Sequence, residues 1–231
     1  MKKKFFPFSL IILLFSCSPN PNNKELSANK DSLSTAVKTF KVPKEYKGVY
    51  HPGQFKDAEN SELYTFNDSV QKKLDSLYNN ILPGHYPNQT VFLNFEGTAD
   101  SLPTNTGFRT TLTKLIKMEF KNTKNSVIPY EYWCMGNEPF WQIQISEKEN
   151  LIDFYDPMIP KFYHFNFSKA EINGGKTIYT SEDKAGSGKI KITITNEKCS
   201  DGMSEIKYNY KSEAVFNGKT YNGCAVKYGD K

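Results

Sequence analysis

The chain has 231 residues, 38% of them hydrophobic and 24% charged, with four cysteines and 30 Lys+Arg against 25 Asp+Glu, a formal net charge of +5. That length favours one or two domains. The 14 Tyr and 17 Phe in so polar a chain point to compact β-rich ones, and a long membrane bundle or a collagen-like chain is excluded.

The elements begin with a targeting segment. Lys2, Lys3 and Lys4 precede an eleven-residue apolar run from Phe5 to Phe15, the length of a signal-peptide core and too short to span a bilayer as a helix. Residues 1–16 are therefore expected to be a secretion signal. The run ends in Leu14-Phe15-Ser16-Cys17, which resembles the bacterial lipobox. That resemblance implies cleavage before Cys17, lipidation of its sulfur, and residence in the bacterial cell envelope, at the outer membrane. Ser18-Pro19-Asn20-Pro21-Asn22-Asn23 is too polar to fold, so residues 17–41 read as a lipidated cysteine and a flexible tether spanning on the order of 25–30 Å. Several acyl chains at about 0.8 kcal/mol per buried CH2 make such an anchor stable.

Losing residues 1–16 removes three of the 30 basic residues and leaves 27 against 25 acidic ones, about +2. Arg109 is the only arginine, so the bidentate fork that reads phosphate and guanine is almost absent, and nucleic acid is not expected as a partner. With Cys17 lipidated, Cys134, Cys199 and Cys224 remain, and an oxidising compartment favours one disulfide plus an odd thiol.

Within residues 42–123, Lys47–His51 and Leu63–Phe66 read as short strands. Asp68-Ser69-Val70-Gln71 then opens a helix, with Asp68 as the N-cap and Gln71 three residues on; Val70, Leu74, Leu77, Tyr78 and Ile81 recur at helical spacing, and Pro83-Gly84 stops it. Val91–Glu96 alternates and Leu112–Phe120 is a further strand. Strands, one helix, then strands predicts an OB-like five-stranded barrel, of the oligonucleotide/oligosaccharide-binding type. Tyr50, Tyr64, Phe66, Phe92 and Phe95 are expected to pack its core rather than stack bases. His51 and His85 lack metal-ligand spacing and read as surface loop histidines, so neither a metal nor a cofactor is expected. Gly48-Val49-Tyr50, Phe55-Lys56-Asp57, Leu74-Asp75-Ser76-Leu77-Tyr78 and Phe92-Leu93-Asn94-Phe95-Glu96-Gly97 resemble the C-terminal barrel domain of the NlpE-type copper-resistance and envelope-stress lipoproteins. The resemblance implies a stress-response role. Ala58 stands where those proteins usually carry a cysteine, and their C-x-x-C domain is missing.

Residues 126–231 read as about eight short strands in an antiparallel β-barrel or sandwich. Trp141–Ile145 and Lys189–Thr195 alternate; Tyr163, Phe165 and Phe167 share a face, as do Ile206, Tyr208 and Tyr210, which predicts one buried face and one wet face. His164 then points outward as an exposed strand residue. Asn173-Gly174-Gly175 and Asn217-Gly218 are hairpin turns. Cys134-Met135-Gly136-Asn137-Glu138-Pro139-Phe140-Trp141, and Cys199-Ser200-Asp201-Gly202-Met203-Ser204 with Gly223-Cys224-Ala225, resemble a family of exported bacterial β-domains of unassigned function. Cys199 with Cys224 is the natural disulfide, closing a loop of about 26 residues worth roughly 3–4 kcal/mol, with Cys134 left as a buried thiol. Pairing of Cys134 with either partner stays open.

Gly136, Asn137, Glu138, Pro139, Phe140, Trp141 and Asp201 are the candidate binding residues, with Trp141 as a core anchor. Glu138 and Asp201 are the only carboxylate pair worth weighing for acid–base chemistry. No substrate-binding set or histidine stands beside them, so no catalytic residue is assigned. The expected role is a non-catalytic envelope lipoprotein, a sensor or binding module for a protein partner, with any small-molecule ligand open. The alternative is a surface-tethered inhibitor of a hydrolase such as lysozyme, acting through the turn Asp183-Lys184-Ala185-Gly186-Ser187-Gly188.

Overall fold

The computed structural model describes residues 41–230 apart from 83, 103–106, 139, 157, 184, 187, 203 and 204. The expected signal, Cys17 and the tether up to residue 40 lie outside the described residues. Strands β1 (Lys44–His51), β2 (Gln54–Asp57) and β3 (Leu63–Phe66) lead into helix α1 (Asp68–Ile81), followed by β4 (Val91–Ser101) and β5 (Phe108–Glu119). They close into a barrel in the order β1-β2-β3-β5-β4, with β3 parallel to β5 and the other pairs antiparallel. This is the OB-like barrel that the order of elements predicts.

Closure requires β1 to pair with β2 and β4 at once, and Gly48 stands at that place, opposite both Asp57 and Leu93. A Cβ there would lie 2.0 Å from the Lys56 carbonyl oxygen, so no side chain fits. The β4–β5 register slips between Asn94 and Phe95 and again between Glu96 and Gly97, and such bulges bend two long strands around a small barrel. Val91 to Phe95 are all buried, so the alternation expected there is absent: both faces of this stretch are covered.

Asn67, not Asp68, caps α1. Its extended backbone places Oδ1 3.0 Å from the Val70 N–H, whereas Gln71 donates to the Asp75 carboxylate and the Tyr50 hydroxyl. Leu74 and Tyr78 plug the barrel while Leu77 lies exposed on the flank of that stripe. Tyr50, Tyr64, Phe66, Phe92 and Phe95 are buried, and Phe95 meets Phe55 and Phe66 edge-on at 5.1 and 5.4 Å. Such pairs add about 0.5–1.5 kcal/mol each beyond the area they bury.

The second half comprises β6 (Tyr132–Asn137), β7 (Phe140–Ser146), β8 (Leu151–Asp156), β9 (Lys161–Asn166), β10 (Glu171–Asn173), β11 (Lys176–Glu182), β12 (Lys189–Thr195), β13 (Cys199–Ser200), β14 (Lys207–Tyr208), β15 (Tyr210–Phe216) and β16 (Lys219–Val226). Nine of them form one antiparallel sheet in the order β10-β11-β12-β15-β16-β6-β7-β8-β9, and β13 and β14 make a separate ribbon. The sheet curls into a half-barrel, and a single bridge from Phe165 to Asp183 brings β9 back to the end of β11. Gly174-Gly175 and Asn217-Gly218 turn their hairpins with positive φ, as the sequence predicts. Ile206 is 59% exposed and does not share a buried face with Tyr208 and Tyr210, because the β13–β14 ribbon leaves the sheet there.

Inward-facing Trp141, Ile143, Ile145, Ile192 and Phe216 belong to the sheet's core. The outer face is wet at β12 and β15, where Lys191, Lys211 and Glu213 are exposed, but not at β6 to β8. There the barrel covers Trp133, Gln144 and Asp153, so the expectation of one wet face fails over these strands. Phe120 contacts Tyr155 and Phe162, and Phe162 packs onto the barrel's own core. Lys121, with its side chain 6% exposed, sits 2.9 Å from Glu149, which also accepts from Thr90 and Gln144. Replacing Lys121 by Met leaves that carboxylate buried without its cation, and urea unfolding is expected to show a loss of about 3–5 kcal/mol. Lys191→Met, on the uncovered face, is expected to stay within about 0.5 kcal/mol.

Candidate functional site

The two sequence motifs of the second half meet. Gly136, Asn137 and Glu138 line one depression of about 440 Å3 together with Cys199, Ser200, Asp201 and Gly223. The Asn137 side-chain amide donates to the Asp201 carbonyl at 2.9 Å, clasping the ribbon to the end of β6. Trp141 is buried directly across the ladder from Gly136. A Cβ on Gly136 would meet the Trp141 indole nitrogen at 2.2 Å, and one on Gly223 would meet the Met135 carbonyl at 2.1 Å and the indole at 2.9 Å. The two glycines thus clear a slot for the tryptophan. Glu138 is exposed, and among the described residues its carboxylate has no hydrogen bond, while the Asp201 carboxylate accepts from the Tyr208 hydroxyl at 3.4 Å. Phe140 is 62% exposed, and Pro139 is not among the described residues.

Cys199 and Cys224 form the disulfide, with Cα atoms 5.6 Å apart, as expected. Cys134 is the buried free thiol. The alternative pairings are excluded by the pleat: Cys134 faces the inner core with Tyr132 and Ala225, whereas Cys224 follows Gly223 and precedes Ala225 and so faces the outer side. Burial pushes the Cys134 thiol up to about 12, against the hydroxyl of Ser212.

A second cleft, of about 450 Å3, was not visible in the sequence. It lies between the loop after α1, contributing His85 and Tyr86, and the edge of the half-barrel, contributing Phe162, His164 and Asp183. His164 is not an exposed strand residue. Its Nδ1 is 2.7 Å from the Asp153 carboxylate, directly across the β8–β9 ladder, and its ring stacks on Tyr86 with centroids 4.0 Å apart. The Tyr86 hydroxyl donates to the other Asp153 oxygen, and burial beside that charge holds the phenol well above its usual range. His85 is half-buried, with Nδ1 2.9 Å from the Leu82 carbonyl, and His51 bonds the neighbouring Pro52 carbonyl. The only available hint was Asp153, a carboxylate inside the apolar strand Leu151-Ile152-Asp153-Phe154. The turn after β11 lies beside this cleft; Asp183 at its base is buried, and among its described residues Ala185 and Gly186 are exposed. Among the described residues no cluster of three or more His, Cys, Asp or Glu could hold a metal ion.

No protein-family model matches the chain, and no curated protein and no solved structure matches it either. The resemblances are therefore carried by the quoted residues alone.

Two outcomes test the structural reading of the motifs. Gly136→Ala is expected to lower stability by about 1–3 kcal/mol through overpacking against Trp141, while Glu138→Ala stays within about 0.5 kcal/mol, both read from thermal unfolding. In a Cys17→Ser chain, a thiol reagent at about pH 8 is expected to find no reactive cysteine in the native protein and one, Cys134, in denaturant.

Proposed function

We propose that the chain is an exported, lipid-anchored binding protein of the bacterial cell envelope, held at the outer membrane through Cys17, and that it serves a protein partner rather than catalysing a reaction. The succession of Lys2–Lys4, the Phe5–Phe15 run, Leu14-Phe15-Ser16-Cys17 and a polar, proline-rich tether carries this reading. The two motifs that could have carried chemistry support it as well. Gly136 and Gly223 serve Trp141, Asn137 holds the ribbon, and Cys199 with Cys224 staples it. The NlpE-like features of residues 42–123 favour a sensor of envelope stress among binding proteins, and the OB-like barrel agrees with them in fold.

Metabolic labelling with a palmitate analogue tests the anchor. The wild-type chain is expected to carry label and to fractionate with outer membranes, and Cys17→Ser to lose both; label retained on the serine variant overturns the proposal. Deleting the gene is expected to alter tolerance to detergent or to blocked lipoprotein transport, and an unchanged response removes the stress-sensor reading.

A further inference from the structure

Packing accounts for part of the two motifs of the second half and leaves the rest. Gly136 and Gly223 make room for Trp141 on the core side, and Cys199 with Cys224 holds the ribbon. The side chains of Glu138 and Phe140 take no part in this: both are exposed, Phe140 at 62%.

The ladder registers place these remaining residues on one surface. Directly opposed residues of antiparallel strands project to the same side of a sheet. Cys224, on the outer side, is opposite both Lys211 and Met135. Two residues further along the same strands, Asn222 is opposite Glu213 and comes level with Asn137, which is opposite Phe140. Lys211, Asn222 and Phe140 therefore share the outer side with the β13–β14 ribbon, across three strand spacings of β15, β16, β6 and β7, about 14 Å.

The depression of about 440 Å3 lies on this surface, within the range of ligand-binding pockets, about 300–1,000 Å3. Its ribbon wall is fixed at two points, by the disulfide and by the Asn137–Asp201 clasp, so binding has little left to order there. Its polar groups are mixed in sign and direction. Glu138 and Asp201 supply carboxylate acceptors, Lys211 an ammonium donor, and Asn222 an amide that does both. Among the described residues the side chains of Glu138, Lys211 and Asn222 have no hydrogen-bond or ion-pair partner. An anion would meet the two carboxylates and a cation the ammonium, whereas a hydroxyl donates to the one and accepts from the other. Phe140, across the ladder from Asn137, adds an exposed ring beside the depression, a surface on which the C–H face of a pyranose packs while its hydroxyls reach the polar groups.

We infer that this depression binds a neutral oligosaccharide, stacked on Phe140 and hydrogen-bonded by Glu138, Lys211 and Asn222. The saccharide is a ligand additional to the protein partner, and its binding does not depend on the lipid anchor.

The probe is chitotriose, a neutral trisaccharide of N-acetylglucosamine, titrated into the 15N-labelled Cys17→Ser chain and followed by backbone amide shifts. Saturable shifts centred on Glu138, Phe140 and Asn222 are expected at a dissociation constant of about 1 mM or below. Phe140→Ala should weaken binding about tenfold and Glu138→Gln several-fold, and both variants, changed at exposed positions, should unfold at the wild-type temperature. If Phe140→Ala unfolds early, Glu138→Gln decides alone. Trigalacturonate, whose carboxylates face Glu138 and Asp201, should bind several-fold more weakly than chitotriose. The inference is overturned by the absence of saturable shifts at several millimolar, by shifts centred elsewhere on the chain, by folded variants that bind chitotriose as tightly as the unchanged chain, or by trigalacturonate that binds as well. Because the probe is used without the lipid, a negative titration beside positive palmitate labelling removes the saccharide site and leaves the anchored protein standing, and the converse result does the reverse.

Discussion

Burial of the outer face of β6 to β8 against the barrel is the contact on which the rest of the molecule depends. An outer sheet face would ordinarily be solvated. Here it carries Gln144, Asp153 and the Glu149 side chain, and the barrel presents Lys121, Thr90 and Tyr86 to meet them. Groups of this kind tolerate burial only with their hydrogen bonds satisfied, so the interface admits few other docking geometries. Apolar packing of Phe120 and Phe162 supplies the attraction, and the polar cluster supplies the register. Barrel and half-barrel accordingly fall within one compact unit, and the cleft beside His164 exists because they do.

The conspicuous motifs have a different origin. Trp141 is large enough to fill the end of the half-barrel, provided that the two successive strands on one side of β7 carry no side chain where the indole lies. Gly136 and Gly223 meet that condition from β6 and β16. The disulfide and the Asn137–Asp201 clasp then hold the β13–β14 ribbon over the outer end of the same strands. A short motif of glycine, asparagine and tryptophan is therefore explained by one bulky residue and the space it requires, with no reaction needed to account for it.

Closure of the five-stranded barrel follows similar logic. Gly48 lets β1 serve two neighbours, two bulges bend the β4–β5 pair, and Leu74 and Tyr78 of α1 seal the interior. Of the aromatic residues that might have formed a stacking platform for bases, Tyr50, Tyr64, Phe66 and Phe95 are enclosed by that closure, and Phe92 is buried on the other face of β4.

Local chemistry was legible in the sequence wherever it is decided over a few residues. Apolar alternation located β7 and β12, positive-φ turn residues located two hairpins, and the order of elements gave the barrel type. Cys199 and Cys224 could be named as a pair, although only the side of the sheet on which each cysteine lies excludes Cys134. The helix cap moved by one residue, from Asp68 to Asn67, because either side chain satisfies the composition rule and only the backbone angle at the cap distinguishes them. His164 was misread for a deeper reason. Alternation tells which residues leave the core face but not whether a second body covers the opposite one, and Gln144, Asp153 and His164 have the pattern of a wet face whether or not the barrel lies against it. Sequence by itself thus determined the strands and the turns, which depend on backbone preference and period. Tertiary structure alone decided the covered face and the Tyr86–Asp153–His164 cluster, because each arises from contacts between residues far apart in the chain.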